Sequence, residues 1–145
     1  MSKTKLTVPE THRNLLEQPI VVTLGTVAPD GQPFAAVVWR RWDGEFVRIV
    51  SDRGNRKMHN IETNPKVSVT AIDPNNPYRF LGLTGVVEAI ITDRDESLAE
   101  LNLHNLLYMG KDKYYATAEE EANHTSVVLK IRPTRFIPFP KPESA

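Results

Sequence analysis

Ile20-Val21-Val22-Thr23-Leu24-Gly25-Thr26-Val27, then Asp30-Gly31, Phe34 to Trp42, Asp43-Gly44 and Glu45 to Ser51, is the stretch on which the fold turns. Its first piece is dense in β-branched residues and bounded by Pro19 and Pro29, so it reads as a strand. Asp-Gly between apolar runs is a tight-turn signal, because glycine accepts the positive φ that hairpin turns require. Two such turns predict three strands, Ile20–Val27, Phe34–Trp42 and Glu45–Ser51, folded as an antiparallel meander.

Immediately beyond lies Val50-Ser51-Asp52-Arg53-Gly54-Asn55-Arg56-Lys57, running on through Asn60 to Asn64-Pro65. A strand ends at Ser51, a glycine-containing turn follows, and Arg56 to Thr63 reads as a short helix stopped before Pro65. A hydroxyl, turn amides, a helix N-terminus and two cations converge there, which is what a phosphate or another dianion requires. Met58 and Ile61, three apart, bury one face of this helix.

Farther out, Lys66 to Ile72 alternates, with Val67, Val69 and Ala71 on one side and Ser68 and Thr70 on the other. Tyr78 to Ile91 is a long β segment whose Gly82 and Gly85 predict a bulge, a bend or close backbone approach. Asp95 to Met109 is the longest helix, capped by Asp95 and ended by Gly110. Leu98, Leu101, Leu106 and Met109 form its expected buried stripe, widened by Leu103 and Leu107. Lys111 to His124 is a polar connection, Thr125 to Ile131 the last strand, and the proline-rich tail is expected to pack on the surface. On the other side, Pro9 to Leu16 suggests a short helix with Thr11 as N-cap. The expected fold class is mainly β (α+β): one domain over 1–145 with a core over about 17–137, a six-stranded, partly open antiparallel barrel with short peripheral helices.

The chain is long enough for a core of its own at 145 residues. Lys+Arg and Asp+Glu balance at 18 each, which argues against bulk attraction to nucleic acid or membrane and puts the weight on local clusters. The absence of cysteine excludes disulfides and thiolate metal sites. No stretch reaches transmembrane length and the N-terminus lacks an apolar signal core, so a cytoplasmic protein is expected. His12, His59, His104 and His124 are scattered without metal-ligand spacing, and Ser51 has no partners of a nucleophilic triad, so neither a metal site nor a catalytic residue is assigned.

The run Ser51 to Pro65 resembles the phosphate-binding segment of the pyridoxamine 5'-phosphate oxidase-like proteins, in which a Ser-Arg-Lys set opens a helix that closes in Asn-Pro. Thr26 to Pro33 is similar to that family's first hairpin. Asn76-Pro77-Tyr78-Arg79-Phe80-Leu81, Gly85-Val86-Val87-Glu88 and Tyr108-Met109-Gly110-Lys111-Asp112-Lys113-Tyr114 resemble motifs of its deazaflavin-using branch. The likeness covers roughly Ile20 to Phe136. It implies a split antiparallel β-barrel and a homodimer with cofactor sites at the subunit interface. Phe34, Trp39, Trp42 and Phe46 add an aromatic load that suits such a dimer.

Two departures bear on the implied cofactor. Flavin mononucleotide (FMN) oxidases of the family carry an Arg near Ala36, and a Gln after an Arg where this chain has Phe80 after Arg79. The resemblance therefore implies coenzyme F420, with FMN as the alternative, since both present a ring, a ribityl chain and a phosphate. The implied activity is hydride transfer to a small-molecule substrate; a non-catalytic flavin-, deazaflavin- or haem-binding protein is the other class. The implied cofactor-binding residues are Arg56 and Lys57 on the phosphate, the Ser51 hydroxyl, the Val50 backbone at the ring edge, and Trp39, Asn60 and Phe80 in the walls. Trp39 suits core or dimer packing equally well. Arg40, Arg41 and Arg53 are either surface residues or partners for the acidic tail of the deazaflavin.

Overall fold

The computed structural model describes residues 6–142. Strands β1 (Val22–Val27), β2 (Pro33–Val38), β3 (Arg41–Trp42), β4 (Val47–Ser51), β5 (Lys66–Ile72), β6 (Phe80–Ile91) and β7 (Val127–Phe139) form one antiparallel sheet in the order β2-β1-β5-β6-β7-β4-β3. Four helices accompany it: α1 (Asn14–Glu17), α2 (Arg56–Thr63), α3 (Arg94–Met109) and α4 (Ala118–Ala122).

The strand order dictates the shape. β2 and β3 occupy opposite edges, yet only Trp39 and Arg40 lie between them in the chain. Three Cα steps of ~3.8 Å reach at most about 11 Å, whereas seven strands laid flat at ~4.8 Å would hold their edges about 29 Å apart. The sheet therefore curls until its two edges meet at this linker, leaving a seam along the remainder. β3 pairs only through Arg41 with Arg48 and Trp42 with Val47, so β4 has no ladder partner on the seam side from Ile49 to Ser51.

Seven strands replace the six expected, because the predicted strand Phe34–Trp42 is broken at Trp39-Arg40. Arg40 is fully buried; its backbone N–H donates to Tyr108 Oη (3.1 Å), and its guanidinium donates to the carbonyls of Leu15 (2.9 Å) and Gln18 at the end of α1. The three-stranded meander thus becomes two hairpins on opposite edges. Both Asp-Gly turns form, with Gly31 and Gly44 at φ 91° and 96°. The last strand does not end at Ile131: β7 continues to Phe139 alongside β6, so the tail is sheet and not surface packing. Beyond Ile131 its other side carries no partner strand, and Pro133 and Pro138 remove no ladder bond there. Pro133 also sits opposite Gly85 at a register shift. A Cβ on Gly85 would stand 2.8 Å from Ile131 Cγ2 and 2.9 Å from the Arg132 carbonyl, which is the close approach its position in the strand predicts.

The core lies inside the curl. Val22, Leu24, Val69, Leu83 and Ile49 from the sheet meet Leu15 and Leu16 of α1 and Met58 and Ile61 of α2. β5 buries Val67, Val69 and Ala71, as its alternation predicts. At the N-terminus the predicted helix is a 3-10 turn, Glu10–His12, followed by α1, with no side-chain cap from Thr11. Helix α3 starts one residue early, capped by Asp93 and not Asp95, and ends at Gly110 in the left-handed conformation.

The buried face of α3 departs most from expectation. Ser97, Glu100, Leu101, His104 and Asn105 point inward, while Leu103, Leu106 and Met109 are exposed. Of the expected stripe only Leu101 is buried, and a largely polar stripe of α3 faces β3, β4 and β7.

Candidate functional site

Where the seam opens, it forms a cleft of about 420 Å³ between the end of β2, strand β4, the start of α2 and the inner face of α3. Four predicted residues meet there: Trp39, Val50, Ser51 and Lys57. Trp39 is held by Tyr108, whose ring stacks on it at 4.8 Å and 6° while its hydroxyl donates to the Ile20 carbonyl at 2.6 Å. Val50 and Ser51 bring the stretch of β4 that lacks a ladder partner toward the seam. Asn55 is the N-cap of α2: its Oδ1 accepts from the Met58 N–H (3.2 Å) and its Nδ2 donates to Ser51 Oγ (3.1 Å). Strand end and helix start are thereby locked together, leaving the N–H groups of Arg56 and Lys57 as first-turn donors without intrahelical partners.

Lys57 is half-buried and forms no salt bridge among the described residues. Burial pushes its pKa down and the nearby Asp52 pulls it back up. Asp52, at the mouth, accepts from Ser126 Oγ at 3.1 Å. A cation with no fixed carboxylate, a hydroxyl and a helix N-terminus constitute an anion site.

Arg56 and Asn60 lie elsewhere. Successive helical residues do not face one another, and Arg56 projects into a second hollow of about 450 Å³ with His59, Phe34 and the β1–β2 turn. Asn60 borders that hollow but is fully buried, and its Nδ2 donates to Thr26 Oγ1 at 3.0 Å, tying α2 to β1. Phe80 joins neither: it stacks on Phe139 at 5.4 Å where β6 pairs with β7. The three arginines considered for an acidic tail are engaged as well. Arg40 holds α1, Arg41 grips Glu100, and Arg53 donates to the carbonyls of Thr125 (2.8 Å) and Thr92 (3.3 Å).

The cleft also gathers residues that the sequence reading did not assign to the site: Leu101 and His104 from α3, and Tyr114 and Tyr115 from the following loop. His104 Nε2 lies 3.3 Å from Glu100 Oε2. Arg41 binds that carboxylate through two hydrogen bonds of 2.5 and 2.8 Å, and Arg48 stands 3.8 Å away. Burial raises the Glu100 pKa, but Arg41 and His104 outweigh it and hold the carboxyl at about 2. Behind Tyr115, His124 bridges the tyrosine hydroxyl and Ser97 Oγ, both at 2.7 Å. Burial, followed by Arg94, pushes its pKa down. The i, i+4 spacing of Glu100 and His104 was a visible signal; the polar inner face of α3 hid where it points. Among the described residues, no group of three or more His, Cys, Asp or Glu is placed to hold a metal, and no helix is long and apolar enough to cross a membrane.

Comparison with known proteins places this geometry in a family. An F420 reductase of known structure shares 37% identity with a TM-score of 0.76, over 90% of this chain and 98% of that one. A putative pyridoxamine 5'-phosphate oxidase from Listeria innocua shares 26% identity with a TM-score of 0.63, over 88% and 94% of the two chains. HutZ, the haem storage protein from Vibrio cholerae, is similar in fold alone, at 14% identity and a TM-score of 0.65 over 87% and 90%. A pyridoxine/pyridoxamine 5'-phosphate oxidase from Aeromonas hydrophila subsp. hydrophila is 36% identical over 55 residues, 37% of this chain; the match spans about a quarter, 26%, of that protein. Residues 8–138 match the pyridoxamine 5'-phosphate oxidase family, which covers the whole curled sheet and the cleft at its seam, and the chain belongs to that family.

Proposed function

We propose that the protein is a small oxidoreductase that uses reduced coenzyme F420 to transfer a hydride to a small organic substrate. One observation carries the reading: 37% identity to an F420 reductase along nearly the full length of both chains. The cleft fits the phosphate end of such a cofactor. Lys57 supplies an uncommitted charge, Ser51 a hydroxyl, and the first turn of α2 two amides. Bound there, the cofactor supplies hydride from its ring. The protein orients it: the β4 edge at Val50 offers backbone groups, and Trp39, pinned by Tyr108, forms a flat wall that excludes water. Arg56 approaches the phosphate region from the far side of the helix. Phe80 has no part in this cleft.

The same reading includes a homodimer in the cytoplasm. Edge strand β2 exposes Phe34 and Val37, the latter to 71%, and a second copy is the natural cover. Of the other aromatics expected at such a surface, Trp42 packs on Phe136 and Phe46 lies under Lys130, so β2 carries the proposal.

FMN is the second reading, favoured by the family match itself. Its phosphate and ribityl chain make the same demands on Lys57 and Ser51. Side-by-side fluorescence titrations separate the two: F420 is expected to bind tighter than FMN. Lys57→Ala is expected to weaken F420 binding about tenfold, corresponding to about 1.4 kcal/mol, with a smaller effect from Arg56→Ala. Tighter binding of FMN replaces F420 as the cofactor, and an unchanged affinity in Lys57→Ala removes the phosphate from this cleft.

A further inference from the structure

We propose that Lys57 is a carbonyl-capturing amine: its Nζ condenses with a small aldehyde that carries a phosphate, and the resulting imine holds that molecule in the cleft. The inference rests on the reading that the cleft receives a phosphate. Lys57 lines the cleft half-buried, and among the described residues its amine has neither a hydrogen bond nor an ion pair. The other five described lysines are placed differently: Lys66, Lys111, Lys113 and Lys141 are exposed, and Lys130 lies over the Phe46 ring at 4.1 Å. An amine attacks a carbonyl only as the free base, a form that solvated lysine scarcely populates at neutral pH. Burial pushes the Lys57 pKa down against the pull of Asp52, which enriches the free base where the cleft encloses it. The ammonium that meets a cofactor phosphate and the amine that meets an aldehyde are two protonation states of one group.

The neighbours suit both ends of such a molecule. Ser51 Oγ, fixed by Asn55 Nδ2 at 3.1 Å, and the first-turn N–H groups of α2 are neutral donors for the phosphate, which leaves the amine free to react. Asp52, at the mouth, accepts from Ser126 Oγ at 3.1 Å and forms no salt bridge among the described residues, so its carboxylate is available to relay protons. The step balances. The Nζ lone pair forms the C–N bond, and one amine proton passes through Asp52 to the carbonyl oxygen. The carbinolamine then loses its hydroxyl, with the second amine proton, as water; no electrons are exchanged. Cofactor phosphate and aldehyde are thereby mutually exclusive partners of Lys57.

Glyceraldehyde 3-phosphate and glyceraldehyde are matched probes, alike but for the phosphate. The cofactor-free protein is incubated with each in the presence of cyanoborohydride, which delivers hydride to the imine carbon and fixes the adduct as a secondary amine. Peptide mapping by mass spectrometry then locates it. Lys57 should be modified ahead of the other described lysines, and about tenfold faster by the phosphate-bearing probe than by glyceraldehyde. Lys57→Arg keeps the charge and lacks the nucleophile, so its uptake of glyceraldehyde 3-phosphate should fall to the background set by the exposed lysines. Label spread evenly over the lysines, or absent from Lys57, overturns the proposal and leaves the phosphate reading to the fluorescence titrations. Equal labelling of Lys57 by both probes also overturns it, and takes the phosphate out of the cleft as well.

Discussion

Glu100 accepts both hydrogen bonds of the Arg41 fork and faces Arg48 and His104, all behind the wall of the cleft. Its carboxyl is held at about 2, below its ordinary 4.5, so its contribution to stability is complete above about pH 4.5 and is lost as the pH falls toward about 2. Glu100→Gln takes the carboxylate partner from the half-buried Arg41, while Arg48 keeps Asp43, and should cost about 2 kcal/mol at neutral pH. Thermal melts should show that deficit shrinking as the pH drops through this window; equal melting of variant and wild type at pH 7 would refute the assignment. Ser51 and Lys57 were legible in the sequence because strand end and helix start are neighbours in the chain; the cap that locks them, Asn55, was not singled out. The group around Glu100 was not, because Arg41 and Arg48 lie more than fifty residues away and nothing local announces the pairing. The same distance hid Arg40, whose partners are carbonyls of α1.

The glycines of β6 allow a paired comparison between elements. At Gly85 a methyl group meets the Arg132 carbonyl at 2.9 Å, and a paired backbone cannot step aside, so Gly85→Ala should cost about 2 kcal/mol. At Gly82 the nearest atoms stand at 3.7 Å, an ordinary contact, and Gly82→Ala should be close to neutral. Denaturant titration of the two variants checks both, and equal losses would mean that the register shift at Gly85 does not constrain the strand. Strands were legible where β-branched alternation and local turns agree, as in β1 and β5. β7 was under-read because Pro133 and Pro138 break the pattern; they are tolerated where only one side of the strand is paired. Helix α3 was placed to within a residue, but only Leu101 of its expected stripe is buried, because Ser97, Glu100, His104 and Asn105 take the rest of its inner face.

For the molecule as a whole, a homodimer predicts a sedimenting mass about twice the 16.4 kDa of one chain at micromolar concentration. Val37→Glu on the exposed edge of β2 should shift it to monomer without unfolding the sheet; a wild-type monomer would remove the proposed cover of that edge. A further consequence belongs to the seam. The two edges are joined by covalent bonds at Trp39-Arg40, and β3 adds only two residue pairs beyond that clasp. Closure of the barrel therefore decays with distance from the linker, as in a zip fastened at one end. Amide exchange should be slowest in β5, β6 and the paired part of β7, and faster in β2 and β3. A ligand touching Trp39 on one lip and Ser51 on the other would supply the cross-links that the ladder lacks. Cofactor should then slow exchange at both lips together, far more than a molecule resting on either one alone.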